Sequence, residues 1–189
     1  EFNHSLINYF PNMINNNYSK KFDKFPWINN SKFLTAWKKG LTGYPIVDAG
    51  MRELYYSGWM HNRVRMIVGS FLVKHLLINW KEGEKYFRYC LLDYSKANNV
   101  CGWQWVAGSG ADAAPYFRIF NPILQGEKFD SEGTYVKRWV PELKDLPKKL
   151  IHKPWEYFNK NFKLGKDYPF PIVKHEEART KALNAFKKI

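Results

Sequence analysis

Two tryptophans flank a glutamine in the run Gly102-Trp103-Gln104-Trp105, and small or polar residues precede and follow it. A packed core rarely needs two indoles beside so many small residues. A site that stacks flat aromatic groups, or passes an electron to one, does need them. Asp93 precedes this run, and the polar residues Asn62, Arg63 and Arg65 come from an earlier segment. Together these residues are the first candidates for a functional site.

A second group of candidates shares one face of a predicted helix. Its members recur at intervals of three or four residues: Asn62, Arg65, Met66 and Gly69. An arginine on a buried helix needs a partner, because an unpaired charge is costly there, and Asp93 is the expected one. Gly69 would let a flat ligand or a neighbouring backbone approach closely. A purely structural ion pair between two helices explains the same residues equally well.

The other aromatic and amide residues each have two interpretations. Most tryptophans of a helical domain are core or interface residues, and here they lie on successive segments: Trp27, Trp37, Trp59, Trp80, Trp103 and Trp105. Tyr116 and Phe117 beside Arg118 combine rings with a cation, as a nucleic-acid surface does, but a solvated loop fits equally well. Asn98 and Asn99 are turn formers unless a ligand is bound.

The motifs of several common enzyme classes are missing. The sequence has no GxSxG, HExxH, P-loop or GxGxxG motif. His61 and His75 are too far apart to share a helical face as metal ligands, and Cys90 and Cys101 are the only cysteines. We therefore expect no bound metal, no disulfide framework and no four-cysteine cluster.

The chain is strongly basic, with 30 Lys and Arg against 17 Asp and Glu. The excess lies at the two ends, and residues 148–189 alone carry 11 basic and 4 acidic side chains. A basic surface attracts polyanions through counterion release, which favours a nucleic-acid partner, although a general bias towards Lys and Asn gives the same excess. A length of 189 residues predicts one domain. Because no signal peptide or long apolar run occurs, we expect no membrane association and a cytoplasmic protein.

Helical periodicity dominates the sequence and no convincing alternating strand occurs, so the predicted fold class is all-α. The nearly continuous apolar segment 61–80 predicts one helix buried on every side. Pro45 and Gly58 mark the start and end of another helix. Residues 93–102 and 111–122 are predicted loops. Further helices are expected over 31–39, from Gly83 onwards, briefly after Trp103, and over 123–129, 132–139, 154–160 and 173–188.

Several longer motifs resemble the flavin domain of the photolyase/cryptochrome family, in order and with matching spacing. They are 42–49 (TGYPIVDA), 58–63 (GWMHNR), 102–105 (GWQW) and 116–122 (YFRIFNP). The similarity continues through 125–130 and 139–143, so it covers essentially the whole chain. It is closest to class I cyclobutane pyrimidine dimer photolyases. The resemblance implies an all-helical domain that holds FAD in a bent form beside a DNA-facing cavity.

The resemblance also implies cofactor contacts. Asn62, Arg65 and Asp93 match positions around the flavin ring. Asn99 matches the position beside the flavin N5, where an amide can bond a reduced, anionic flavin without offering a ready proton. Ser95 stands where the family usually has a second acidic residue, which would alter one contact to the ring.

Further matches concern electron transfer and DNA. The family's chain of three tryptophans, which relays an electron from the surface to the flavin, corresponds to Trp103, Trp80 and Trp27. The residues that match the lesion pocket and its rim are Arg63, Met66, Trp105 and Arg118. The implied activity is that of a deoxyribodipyrimidine photolyase, which repairs cyclobutane pyrimidine dimers in UV-damaged DNA by light-driven electron transfer from reduced FAD.

Residues 1–189 match only part of the family's domain architecture. The amino-terminal α/β antenna domain and the start of the FAD domain are missing, so residues 1–189 are expected to be a partial FAD- and DNA-binding domain that binds FAD poorly by itself. An antenna chromophore of the folate or deazaflavin type is expected only in the missing domain. We expect the whole protein to be a monomer.

Three rival functions remain open from the sequence. The first is a cryptochrome, a blue-light receptor without repair activity, although Asn99 favours repair because the sensors tend to have Asp or Cys there. The second is repair of the 6–4 photoproduct, against which Gln104, Trp105 and the lack of paired histidines argue. The third is a helical DNA-binding fragment without a cofactor, which would be colourless and indifferent to light.

Overall fold

The computed structural model describes all residues, 1–189, and it contains nine α-helices and no β-strand, which confirms the all-α fold class. The helices are α1 (Phe2–Tyr9), α2 (Ser31–Lys38), α3 (Pro45–Ser57), α4 (Asn62–Ser70), α5 (Trp80–Cys90), α6 (Lys96–Ala107), α7 (Pro122–Phe129), α8 (Thr134–Trp139) and α9 (His175–Phe186). Short 3-10 turns lie at Pro11–Ile14, Lys20–Lys24, Pro141–Leu143 and Pro154–Glu156. None of the helices combines the length and apolar character that crossing a bilayer requires.

The predicted helix between Pro45 and Gly58 is confirmed as α3. Pro45 occupies its first turn, where a missing N–H costs nothing. Gly58 ends it with a φ of 68°, in the left-handed region that favours glycine. α3 packs against α4 and α8 and therefore joins the two halves of the fold.

The prediction of one continuous helix over 61–80 is wrong. The α-helix ends at Ser70, and the wider π-helical turn Phe71–His75 follows it. Leu77 then takes a left-handed φ of 51°, which stops helical propagation. From Ile67 to Leu77 the segment is nevertheless buried, as its composition predicts, and its apolar residues belong to the main apolar cluster.

Two further boundaries differ from the prediction. α5 begins at Trp80 rather than at Gly83, because the Asn79 side chain caps it by accepting a 3.0 Å hydrogen bond from the Lys81 amide. The predicted loop over 93–102 is mostly helical, since α6 begins at Lys96 with Ser95 as its N-cap. The fold therefore replaces a loop and a short helix with one helix of 12 residues.

The carboxyl-terminal half is less regular than the first half. Residues 111–121 form the predicted loop, and α7, α8 and α9 correspond to three predicted helices. The helix predicted over 154–160 is wrong, because only the 3-10 turn Pro154–Glu156 forms before isolated β-bridges such as Asn159 with Phe162. At the other end, α1 has no counterpart among the predicted helices, and it packs on α6.

Candidate functional site

A cavity of about 350 Å³ lies where α4, α5 and α6 meet. This volume falls in the range of small-molecule sites, which is roughly 300–1,000 Å³. Polar side chains and flat aromatic rings share its wall. The lining residues are Asn62, Arg65, Met66, Gly69, Phe87, Leu91, Asp93, Ser95, Asn98, Asn99, Gly102, Trp103, Trp105 and Val106.

The predicted face of α4 is confirmed, because all four of its residues line this cavity: Asn62, Arg65, Met66 and Gly69. The predicted ion pair is also confirmed, with the Arg65 guanidinium 2.7 Å from the Asp93 carboxylate. A second bond of 2.6 Å joins the Arg65 Nε to the Met60 carbonyl oxygen. The guanidinium is thus fixed in two directions at the cavity wall.

The sequence predicts a buried Arg65, but in the structure the side chain is only half-buried. Its side chain keeps 26% of its exposure and that of Asp93 keeps 49%. An ion pair at this exposure contributes little to stability, typically about 0–1 kcal/mol. Its main structural effect is therefore to orient two charged groups at the cavity wall, which is what a polar-edged ligand requires.

Asn99 is oriented by a residue that the sequence did not single out. The Asn99 Nδ2 donates to the Glu84 carbonyl oxygen at 3.1 Å and to the Glu84 carboxylate at 3.2 Å. The same carboxylate accepts a 3.4 Å bond from the Tyr94 hydroxyl, whose pKa is raised by burial and by the Glu84 charge. The Asn99 amide is therefore held in place with its oxygen free of these bonds. Glu84 was missed because it lies on α5 and meets Asn99 only through the packing of α5 on α6.

The Trp103 indole forms the most tightly held aromatic part of the wall. It is buried, with ring centres 5.0 Å from Phe87 and 6.1 Å from Trp37. A methyl group built on Gly83 would lie only 2.1 Å from a carbon of this indole, so the ring rests directly on the α5 backbone. Trp105 also lines the cavity and is half-buried.

Gln104 does not face the cavity, although it lies between the two tryptophans. Its fully buried amide donates to the carbonyl oxygens of Met13 and Asn16, at 2.7 and 3.1 Å. It also accepts a 2.9 Å bond from the Tyr18 amide. Gln104 is therefore an anchor for the amino-terminal segment.

Four of the predicted site residues lie outside the cavity lining. Arg63 is half-buried and directly follows Asn62 of the lining, while Arg118 is exposed. Trp80 is buried and donates its indole N–H to Asn17 at 2.9 Å, while Trp27 is half-buried and packs on Phe25. The structure thus brings eight of the twelve predicted site residues to one cavity and leaves these four outside its lining.

A second, smaller cavity of about 190 Å³ lies next to the first. The two share Gly102 and Trp105 as lining residues. α1 contributes Phe2, Asn3 and Leu6 to the smaller cavity. Trp105 is therefore exposed to two separate spaces.

The residues of the larger cavity fit a tricyclic, polar-edged ring such as a flavin. Amide groups and a charged pair can bond the heteroatoms of such a ring, and the indoles and Gly69 offer flat surfaces to its faces. A sequence-family comparison agrees with this chemistry, because the FAD-binding domain of DNA photolyase matches residues 1–188.

The chain belongs to the FAD-binding domain family of DNA photolyases.

Individual relatives of this family domain are similar over nearly its whole length. The deoxyribodipyrimidine photo-lyase of Agrobacterium fabrum is 58% identical over 98% of the chain. A crystal structure of a class III photolyase from Agrobacterium tumefaciens superposes with a TM-score of 0.96 at 56% identity, covering 99% of this chain and 40% of that one. A Synechocystis cryptochrome superposes with a TM-score of 0.91 at 38% identity, covering 97% and 39% respectively. The chain spans about 40% of the length of the photolyase relatives it matches.

Proposed function

We propose that the larger cavity binds the flavin ring of FAD in the whole protein to which this domain belongs. The observation that carries the proposal is the convergence of groups from distant segments on one space: Asn62 and Arg65 of α4, Asp93, and Asn99 and Trp103 of α6. The Asn99 Nδ2 is already bonded to Glu84, so its oxygen is available as an acceptor. An acceptor suits the reduced form of a flavin, whose N5 carries hydrogen. Ser95 lines the same wall with a hydroxyl and caps α6.

The aromatic residues support a role in electron transfer. Trp103 lines the cavity, Trp80 is buried outside it, and Trp27 is half-buried. A half-buried, a buried and a cavity-lining indole suit a relay in which an electron moves from solvent to the cavity through Trp27, Trp80 and Trp103. Bound FAD would supply the light-driven one-electron chemistry, and the protein would position and insulate it.

The surface around the cavity supports binding of damaged DNA. Met66 and Trp105 line the cavity and would contact pyrimidines flipped out of the duplex. Stacking on the Trp105 indole would stabilise such a base by about 1–3 kcal/mol. Arg63 and Arg118 lie outside the cavity, where they would bind backbone phosphates.

The function that these features support best is photolyase activity, the repair of cyclobutane pyrimidine dimers in DNA. The motifs of the sequence resemble class I enzymes, whereas the solved relative at 56% identity is a class III photolyase, so the proposal names no subclass. We further propose that residues 1–189 form part of the FAD domain, and that any folate or deazaflavin antenna binds to another domain. The monomeric state and cytoplasmic location stay predictions.

The decisive experiment compares light with darkness in the full-length protein. Visible absorption first tests for bound flavin. The purified protein is then incubated with an oligonucleotide that contains a single thymine dimer, in blue light and in the dark. We expect dimer loss only in light and only with flavin bound. Equal dimer loss in both conditions would refute the proposal.

A cryptochrome-like function is the second candidate, since the Synechocystis cryptochrome shares the fold at 38% identity. It predicts bound flavin that responds to light but no loss of dimers. Repair of 6–4 photoproducts is separated by a substrate that contains only that lesion, which the present proposal expects to remain intact. A protein without flavin would support the third rival, a structural DNA-binding fragment.

A further inference from the structure

The ring of Phe129, at the end of α7, is exposed and yet lies close to two cations. The guanidinium carbon of Arg63 is 4.7 Å from the ring centre, and the Lys128 ammonium nitrogen is 5.5 Å from it. The Phe129 side chain is 48% exposed. Core packing does not account for a phenylalanine in this position, so its contact with the cations calls for another explanation.

The backbone on both sides of this contact is well fixed. On α4, the His61 ring accepts a 3.1 Å hydrogen bond from the Arg63 amide and caps the helix. On α7, the buried Asp130 follows Phe129 directly, and its carboxylate accepts bonds of 2.9 and 3.0 Å from two amides of α8. Arg63 and Phe129 therefore extend from rigid supports on two different helices.

The bonding of Arg63 leaves its hydrogen-bond donors free. No carboxylate lies within 4.0 Å of its guanidinium, unlike those of Arg52 and Arg65, which are paired. A guanidinium above an aromatic ring interacts through its face, whereas it binds an oxyanion through the N–H groups at its edge. The two interactions are compatible. A stacked arginine without a carboxylate partner is thus a preoriented receptor for a phosphate.

We propose that Phe129 is a positioning residue that holds the Arg63 guanidinium for a phosphate of the DNA backbone. The inference rests on the proposed function for the identity of the polyanion. Arg63 follows Asn62, which lines the cavity, so the phosphate would lie beside the cavity entrance. Preorientation lowers the rotamer entropy that Arg63 loses on binding, and Lys128 adds positive charge at the same place.

The test uses the full-length, FAD-loaded protein and measures its Kd for duplexes with and without a thymine dimer. Phe129→Leu removes the ring, Phe129→Tyr keeps it, and Phe158→Leu is the matched control, because Phe158 is 92% exposed and stacks on no cation. A surface cation–ring contact of ordinary strength corresponds to about two- to five-fold in affinity. We expect Phe129→Leu to weaken the binding of both duplexes by that factor. The Kd values of Phe129→Tyr and Phe158→Leu should match those of the wild type.

Two further readouts separate positioning from a general structural effect. Arg63→Gln should lower the slope of log Kd against log salt by about 1, whereas Phe129→Leu should leave that slope unchanged. In the Arg63→Gln background, Phe129→Leu should weaken binding no further, because the residue it positions is gone.

Several results would overturn the proposal: wild-type affinity in Phe129→Leu, no recovery in Phe129→Tyr, or full additivity with Arg63→Gln. A loss of flavin absorption in Phe129→Leu would mean that Arg63 serves a cofactor phosphate instead, which also contradicts it. Failure of the wild-type protein to bind any duplex would refute the proposed DNA function itself, and so is distinct from failure of the Phe129 variants alone.

Discussion

The contact between Gly83 and the Trp103 indole shows how strongly one missing side chain can shape a site. A β-carbon at Gly83 would meet three carbons of the indole at 2.1–2.5 Å, which no real packing allows. The absence of that carbon lets α5 and α6 approach until the ring lies against the backbone. The position of Trp103 in the cavity wall is therefore set by a glycine on another helix.

Gly83→Ala is predicted to destabilise the protein by about 1–3 kcal/mol, because the methyl group must displace the indole or separate the helices. Gly102→Ala is the matched control: it also lies inside a helix, but nothing lies within 4 Å of the added carbon. Its better helix propensity should raise stability by up to about 1 kcal/mol. Urea denaturation of both variants measures the two effects, and the same sign in both would contradict the packing argument.

The two tryptophans of the GWQW run should separate experimentally. Trp103→Phe removes one step of the relay and is expected to slow photoreduction of the flavin at least ten-fold, which corresponds to a barrier higher by about 1.4 kcal/mol. DNA affinity should change little. Trp105→Ala should instead weaken binding to dimer-containing DNA by about 1–3 kcal/mol and leave photoreduction near wild type. Transient absorption and anisotropy measure the two properties. Equal effects of both substitutions on both properties would contradict this division of roles.

Much of the site could be predicted from single residues and their spacing. The interval of three or four residues brought Asn62, Arg65 and Met66 to one face, and the cost of an unpaired charge identified Asp93. Glu84 could not be found in this way, because its bond to Asn99 depends on how two helices pack. The role of Gln104 as an anchor could not be predicted either, because its partner Met13 is distant in the sequence.

At the scale of helices, several of the errors lie at boundaries, where the apolar pattern does not show how a helix begins or ends. The apolar run 61–80 carries no interior Gly or Pro after Gly69, so its pattern alone continues through Trp80. The π turn and the left-handed Leu77 are consequences of packing and leave no local signal. Asn79 and Ser95 are N-cap residue types, and they were the available signals for the starts of α5 and α6.

The Asn79 cap gives a prediction at this scale. Asn79→Ala removes the acceptor for the Lys81 amide at the start of α5 and should lower the free energy of unfolding by about 1 kcal/mol. Asn79→Asp keeps an acceptor and should remain close to wild type. The measurement is denaturant unfolding of the three proteins at one pH. An unchanged free energy of unfolding in Asn79→Ala would show that packing alone determines where α5 begins.

At the scale of the whole molecule, α9 contacts the central helices through two histidines whose burial disfavours their protonated form. It packs on the π turn, where the His75 Nε2 and the His175 Nδ1 are 2.8 Å apart. Burial, and then the neighbouring His175, lowers the pKa of His75 to about 3. Burial also lowers the pKa of His175, with Glu176 and Arg179 acting in opposite directions. Burial therefore favours the neutral form of both imidazoles when α9 is docked.

This pair predicts acid sensitivity. The folded His75 binds a proton only near pH 3, whereas the unfolded side chain binds one near its ordinary 6.5, so stability is complete above about pH 6.5 and falls below it. The limiting slope is about 1.4 kcal/mol per pH unit for one such group. His75→Gln, which stays neutral, should flatten the decline between pH 6.5 and 5 in urea titrations. An unchanged slope would place the acid sensitivity elsewhere.

The wall that Trp105 contributes to two adjacent cavities has a consequence for chemical probes. A small ligand can reach this indole from either cavity, and under the proposed function only a ligand in the larger cavity would compete with FAD. Fragments bound beside the α1 side chains would contact the same indole and leave the larger cavity open. In a variant that retains Trp105 as its single tryptophan, quenching of the indole fluorescence would measure the binding of such fragments.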